Sequence, residues 1–190
     1  VEFTPSIYEH AAALIGERPW TVSRDFKLLY HGHAAAFRRY GHAPVVMGID
    51  IYNLEAEAYG AALSEPSGNA LPTITEHRCA TVEEVCDLAP FDPTADGRIP
   101  GVLDAAERMR DAFPEADVRV PVSGPFSIAS LLMGFEELLC AVITEPEQTT
   151  AALRHLASAQ LDFGKVVKQR GVDVAFFESS AAPPLLSPDM

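Results

Sequence analysis

The sequence predicts an α/β fold in which parallel strands are joined by crossover helices, and three stretches of chain predict it. The first is a short β-branched run, Val118, Val120 and Val122, which Gly124-Pro125 breaks before the apolar segment Phe126 to Met133 can continue as strand. The second is a long helical pattern ending at Gly171, and the third is the apolar run Val172 to Phe177 that follows it. Two strands separated by a crossover of that length must be parallel.

Taking the elements in order, residues from about Pro5 to Tyr40 read as two helices split at Arg18-Pro19-Trp20. Ser23 is the expected N-cap of the second, with Phe26, Leu29, Tyr30 and Phe37 near one face. Val45 to Ile49 reads as the first strand of the sheet. The stretches Ser64 to Leu71 and Ala89 to Pro100 read as loops within one domain, and no internal repeat is present. After the strand at Val118 to Val122 come a helix pair and then a crossover helix of roughly 25 residues. Thr144 is its expected N-cap, Glu145, Pro146 and Glu147 suit its first turn, and Lys165, Lys168 and Arg170 suit its last. Leu153, Leu156, Ala157, Phe163, Val166 and Val167 give it an apolar stripe for docking on a sheet. The expected organisation is a single domain over 1–190, with a helical lead-in over 1–42 and β/α units over 43–190.

Composition narrows the partners. Hydrophobic residues make up 48% of 190, enough for one sizeable core, and no apolar run approaches the ~18 residues of a membrane span. A formal net charge of -13, with only 14 basic residues, argues against a nucleic-acid or anionic-membrane partner. The first segment, VEFTPSIYEH, does not resemble a signal peptide, and its lack of an initiator methionine is read as trimming. Cys79, Cys86 and Cys140 are irregularly spaced, so a reducing, cytoplasmic location is expected rather than a disulfide framework. Cys140 is expected to fill a core position.

The ordered segments PVVMGIDIYNLEAEAYGA, FDPTADGRIPGVLDAAERMR, GPFSIASLLMG, TEPEQ and RGVDVAFFESSAAPPLLSP resemble the uroporphyrinogen decarboxylase superfamily, which also holds the methylcobamide:coenzyme M methyltransferases. The resemblance implies a (β/α)8 TIM barrel. Such a barrel needs roughly 250 residues. The chain is therefore expected to be the amino-terminal half or slightly more, completed by a further segment, a partner chain or a second copy as a homo-oligomer, because an open sheet exposes unpaired edges.

Asp50 follows the first strand, where the barrel mouth lies in such folds, and the resemblance places it on the aspartate that contacts the substrate. The competing structural role for Asp50 is to cap the helix beginning near Asn53. Glu178 and Ser179 hold the matching place after the third strand; a carboxylate behind VAFF is expected to be partly desolvated, which suits it to acid/base work. Its alternative is to hydrogen-bond the following loop. Asp50 and Glu178 are the expected catalytic pair, with Tyr52, Glu55, Gly124, Phe126, Ser127, Leu131 and Ser179 facing substrate. Glu55 and Glu57 stand two apart on a helix and cannot face one site, and Glu55 is the one expected at the mouth.

The resemblance further implies zinc held by a His-x-Cys and a distant Cys, but that motif belongs to the half beyond this chain. His77 and Cys79 with Cys86, and His31 with His33, are expected to pack rather than bind metal. Decarboxylases grip their polycarboxylate substrate with an amino-terminal arginine-rich segment and carry a tyrosine where this chain has Leu131; RPWTVSRDFKLLYHGH has neither character. The expected activity is methyl transfer from a corrinoid protein to a thiol or similar acceptor. The alternatives are tetrapyrrole decarboxylation, and a non-catalytic half-barrel that binds a tetrapyrrole or a subunit.

Overall fold

Parallel pairing, demanded by the crossover lengths, is what the backbone adopts. A computed structural model describes residues 5–182, 186 and 187, so Pro183, Pro184, Leu185 and Pro188 of the last resemblance segment lie outside the described residues. Its strands are β1 (Val45–Val46), β2 (Ala62–Leu63), β3 (Ile74–Glu76), β4 (Val118–Ser123) and β5 (Asp173–Phe177). Its helices are α1 (Tyr8–Leu14), α2 (Pro19–Arg24), α3 (Phe26–Tyr40), α4 (Leu54–Ala58), α5 (Val82–Cys86), α6 (Ile99–Ala112), α7 (Pro125–Met133), α8 (Phe135–Thr144) and α9 (Pro146–Gln169). The main sheet has the order β1-β4-β5. Val45 pairs with Val118, and Arg119 through Ser123 pair with Asp173 through Phe177, all in parallel.

Alternation along β4 sets the layers. Val118, Val120 and Val122 are buried on the face covered by α6 and α9, while Arg119, Pro121 and Ser123 take the other face. The 24-residue α9 buries Leu156, Phe163 and Val167 along its sheet-facing stripe. Phe163 continues into the core through edge-to-face contacts, with Phe91 at 6.0 Å and Tyr59 a further 5.1 Å on. Phe91 comes from a stretch expected to be plain loop.

Several local expectations are corrected. The lead-in holds three helices, because Asp25 rather than Ser23 begins α3: its side chain accepts from the N–H groups of Lys27 and Leu28 at 2.8 and 3.1 Å. Ser23 sits in the last turn of α2 and donates to the Trp20 carbonyl. On α3, Leu29 and Tyr30 are buried but Phe26 is exposed. Thr144 ends α8, its hydroxyl donating to the Cys140 carbonyl, and Glu145 stands before Pro146 in a non-helical conformation that the proline imposes. Cys140 is exposed on α8 instead of filling the core. The Ser64 to Leu71 stretch closes an antiparallel β2-β3 hairpin, pinned where Arg18 donates to the Pro66 and Gly68 carbonyls and pairs with Glu65. Helices α7 and α8 meet at 113°, and among the described residues no single helix is long and apolar enough to cross a membrane.

Strand β1 is shorter than expected. Met47 still donates to the Arg119 carbonyl at 2.8 Å, but at Asp50 the backbone turns into the left-handed region with φ 53 and ψ 53. Gly48 permits the turn, since a Cβ there would lie 2.6 Å from Ile51 Cγ2. The fully buried His33 ring braces it, accepting from the Gly48 N–H at 3.2 Å; burial pushes the His33 pKa down to about 4, so the ring is neutral.

Candidate active site at the carboxyl ends of the strands

Three carboxylates converge on the ends of the parallel strands, each held differently. Asp50, after β1, is 5% exposed and paired with Arg98 at 3.0 Å. Its other oxygen accepts from Asn53 Nδ2 at 2.7 Å, and its backbone N–H donates to Glu9 at 3.2 Å. Asp50 makes no capping bond to the following turn. Burial pushes its pKa up to about 6, with Arg98 and Asn53 opposing that rise and Glu57 adding to it.

Arg98 is the residue that sequence reasoning missed. Its guanidinium donates to the Ile49 carbonyl at 3.0 Å, to the Asp50 carbonyl at 3.2 Å, to the Asp50 carboxylate, and to Glu57. Gly97 makes that insertion possible: with φ +56, it brings the loop so close to α4 that a Cβ would lie 3.1 Å from Ala58 backbone atoms. Glu57 is shared with Arg24, which stacks 3.2 Å over the Trp20 ring centroid. A glycine-arginine pair before the proline-bearing helix start IPGVLD was the only signal available.

Glu55 is fully buried and turned toward β4, accepting from the Ser123 N–H at 2.6 Å and the Ser123 hydroxyl at 3.0 Å. Burial pushes its pKa up to about 7, against the pull of the Ser123 hydrogen bonds and of Arg98. Gln160 on α9 donates to the Ser123 carbonyl, so every polar group of Ser123 is engaged. Glu55 and Glu57 do take separate partners.

Glu178, after β5, reaches across to the start of α7. Its carboxylate accepts from the N–H groups of Phe126 and Ser127 at 3.1 and 3.3 Å, and from the Ser127 hydroxyl at 2.5 Å. It also bonds Ser180 in its own loop at 3.3 Å, the alternative role foreseen for it. Helix α7 carries no side-chain cap of its own, so Glu178 supplies the acceptor and lies at the positive end of its dipole. Gly124 leaves room for it: any Cβ there would collide with the Glu178 carboxylate. Glu178 lines a cleft of about 530 Å³ with Pro125, Phe126, Thr149, Leu153 and Leu186.

Of the other expected residues, Tyr52 is 42% exposed at the rim and Ser179 is exposed beside Glu178. Phe126 and Ser127 are buried at the α7 start, and Leu131 is half-buried, its carbonyl 3.2 Å from His77 Nδ1. Cys79 is buried and donates its N–H to Leu132, so the His77 to Cys79 segment is stitched to α7. No three His, Cys, Asp or Glu side chains gather into a possible metal site among the described residues. The described residues therefore do not fit zinc.

Comparison with known proteins gives the family and the fold. The family described as uroporphyrinogen decarboxylase (URO-D) matches residues 4–190. A methylated-thiol–coenzyme M methyltransferase of Methanosarcina mazei is 27% identical over 165 residues, 86% of this chain and 44% of that protein. The solved structure of a methyltransferase from Methanosarcina mazei superposes with a TM-score of 0.83 at 22% identity, over 99% of this chain and 56% of the other. The chain thus spans about half the length of these relatives and shares the fold of the solved methyltransferase over that half. Because the family match takes in β1, β4, β5 and every helix between them, the chain belongs to the uroporphyrinogen decarboxylase family.

Proposed function

We propose that this chain forms roughly the first half of a (β/α)8 barrel, and that the completed barrel is a cytoplasmic enzyme moving a methyl group from a corrinoid-carrying protein to a thiol or similar acceptor. The observation that carries the reading is Glu178, a carboxylate at the end of a parallel strand that lines a cleft, in a chain similar to methyltransferases. A corrinoid carried by the partner would supply the methyl group as a methyl-cation equivalent, the bonding electron pair staying with the corrinoid. The acceptor sulfur loses its proton and forms the new carbon–sulfur bond. Glu178 receives that proton, and its three bonds to the α7 start hold it in place. Phe126 and Leu153 give the cleft an apolar wall that keeps water from the methyl group.

Methyl transfer is favoured over tetrapyrrole decarboxylation by the state of the guanidinium groups. Arg98 is consumed by Asp50 and Glu57, and Arg24 by Glu57 and Trp20. A polycarboxylate substrate needs cations with open valence at the mouth. The non-catalytic, subunit-binding reading draws on one observation: Leu161 and Phe176 stand 68% and 61% exposed beside the edge strand β5.

The test is incubation of the complete gene product with methylcobalamin and small thiols, following cobalamin absorbance and identifying the thioether by mass. Thioether formation that falls about 100-fold in Glu178→Gln supports the reading. Carbon dioxide release from uroporphyrinogen, or no thioether with any thiol, overturns it.

A further inference from the structure

We propose that Arg98 is a positioning residue, which fixes the left-handed turn at Asp50 and the direction of the Asp50 carboxylate at the end of β1. This role deepens the reading above and rests on it for its effect on methyl transfer, while the geometry at Asp50 is independent of that reading. Four acceptors surround the guanidinium, and two of them, the Ile49 and Asp50 carbonyls, belong to the turn itself. A third is the Asp50 carboxylate and the fourth is Glu57 on α4, so one planar group reads the backbone and the side chain of the turn and ties both to the next helix. A lysine ammonium is a point charge on a flexible stem and cannot span that set.

The turn needs an external brace. Asp50 is a non-glycine residue at φ 53, a conformation that side chains seldom adopt without support. Its carboxylate also sits among groups from several elements. Glu9 of α1 and Glu57 of α4 add negative charge, Arg24 of α2 and Arg98 before α6 add positive charge, and Asn53 donates a neutral hydrogen bond. Arg98 alone bonds both the carboxylate and the carbonyl of Asp50. Gly97 secures the approach, as its contact with Ala58 leaves no room for a side chain.

The experiment is a carbon-detected NMR titration of the Asp50 carboxyl in the parent chain, in Arg98→Met and in Arg98→Lys. The parent midpoint is expected near pH 6. Arg98→Met raises it by at least about one pH unit, and Arg98→Lys raises it by less. Should Arg98→Met not fold, Arg98→Lys decides. In methyl-transfer assays both variants lower kcat by about tenfold while KM stays within about twofold, because the strand end that Asp50 and Arg98 hold is no longer fixed. A midpoint unchanged in the folded variants, with only melting temperature reduced, overturns the proposal. If the parent transfers no methyl group, the functional reading fails while the titration still decides the role of Arg98.

Discussion

The corner after β1 and the corner after β5 both end in a carboxylate, yet they are built in opposite ways. At the β1 corner Asp50, Arg98, Glu57 and Asn53 form one connected set of hydrogen bonds, and Asp50 and Arg98 are almost wholly removed from solvent. At the β5 corner Glu178 is bound on its inner side to α7 and lines a cleft, beside an edge strand that shows Phe176 to solvent. The contrast separates two uses of a negative charge. A closed ion network orients the chain, whereas a carboxylate on a cleft wall can meet a ligand.

Breaking the closed corner has the largest expected effect. Arg98→Met leaves buried carboxylates without their partner, and denaturant unfolding is expected to show a loss of about 3–5 kcal/mol. Glu55→Gln sharpens the comparison through pH. The Glu55 pKa is raised to about 7 from an ordinary 4.5, so the folded chain binds the proton more tightly than the unfolded one. Its contribution is complete below about 4.5 and fades as pH rises through about 7. Unfolding curves between those limits are expected to lose on the order of 3 kcal/mol in the parent from this group, and Glu55→Gln flattens that dependence. At the open corner Glu178→Ala removes only a helix cap, and about 1 kcal/mol is expected to be lost in the same measurement. The smallest effect belongs to Phe176→Ser. Stability is expected to change by less than about 0.5 kcal/mol, while self-association in sedimentation falls because an exposed apolar edge has been broken.

Much of the β/α unit is legible in the sequence. The β-branched runs, Gly124-Pro125 and the stripe of α9 identify a parallel β/α unit because strand and helix periods differ along the chain itself. Asp50 and Glu178 could be singled out since each follows a strand, and Glu55 because it and Glu57 stand two apart on the helix after Asp50 and cannot share a face. The pairing of Asp50 with Arg98 was not legible, because 48 residues separate them and nothing local marks Arg98 as an inward-facing side chain. Caps were misjudged for a similar reason. Ser23 and Thr144 have capping chemistry, but where helices abut, the side chain of Asp25 and the ring of Pro146 decide which residue lies at the boundary. The short β2-β3 hairpin escaped notice because its strands carry no alternating pattern, and Arg18 from α2's approach holds its loop.

Glu178 caps a helix that begins at Pro125, reaching back 51 residues to the N–H of Ser127. During synthesis, then, the first turn of α7 emerges with its amide groups bare and stays so until the whole of α9 and β5 has been made and docked. Order at the rim is the last local event of this unit rather than the first, and a chain ending before residue 178 would carry a frayed α7 however well its own residues favour a helix.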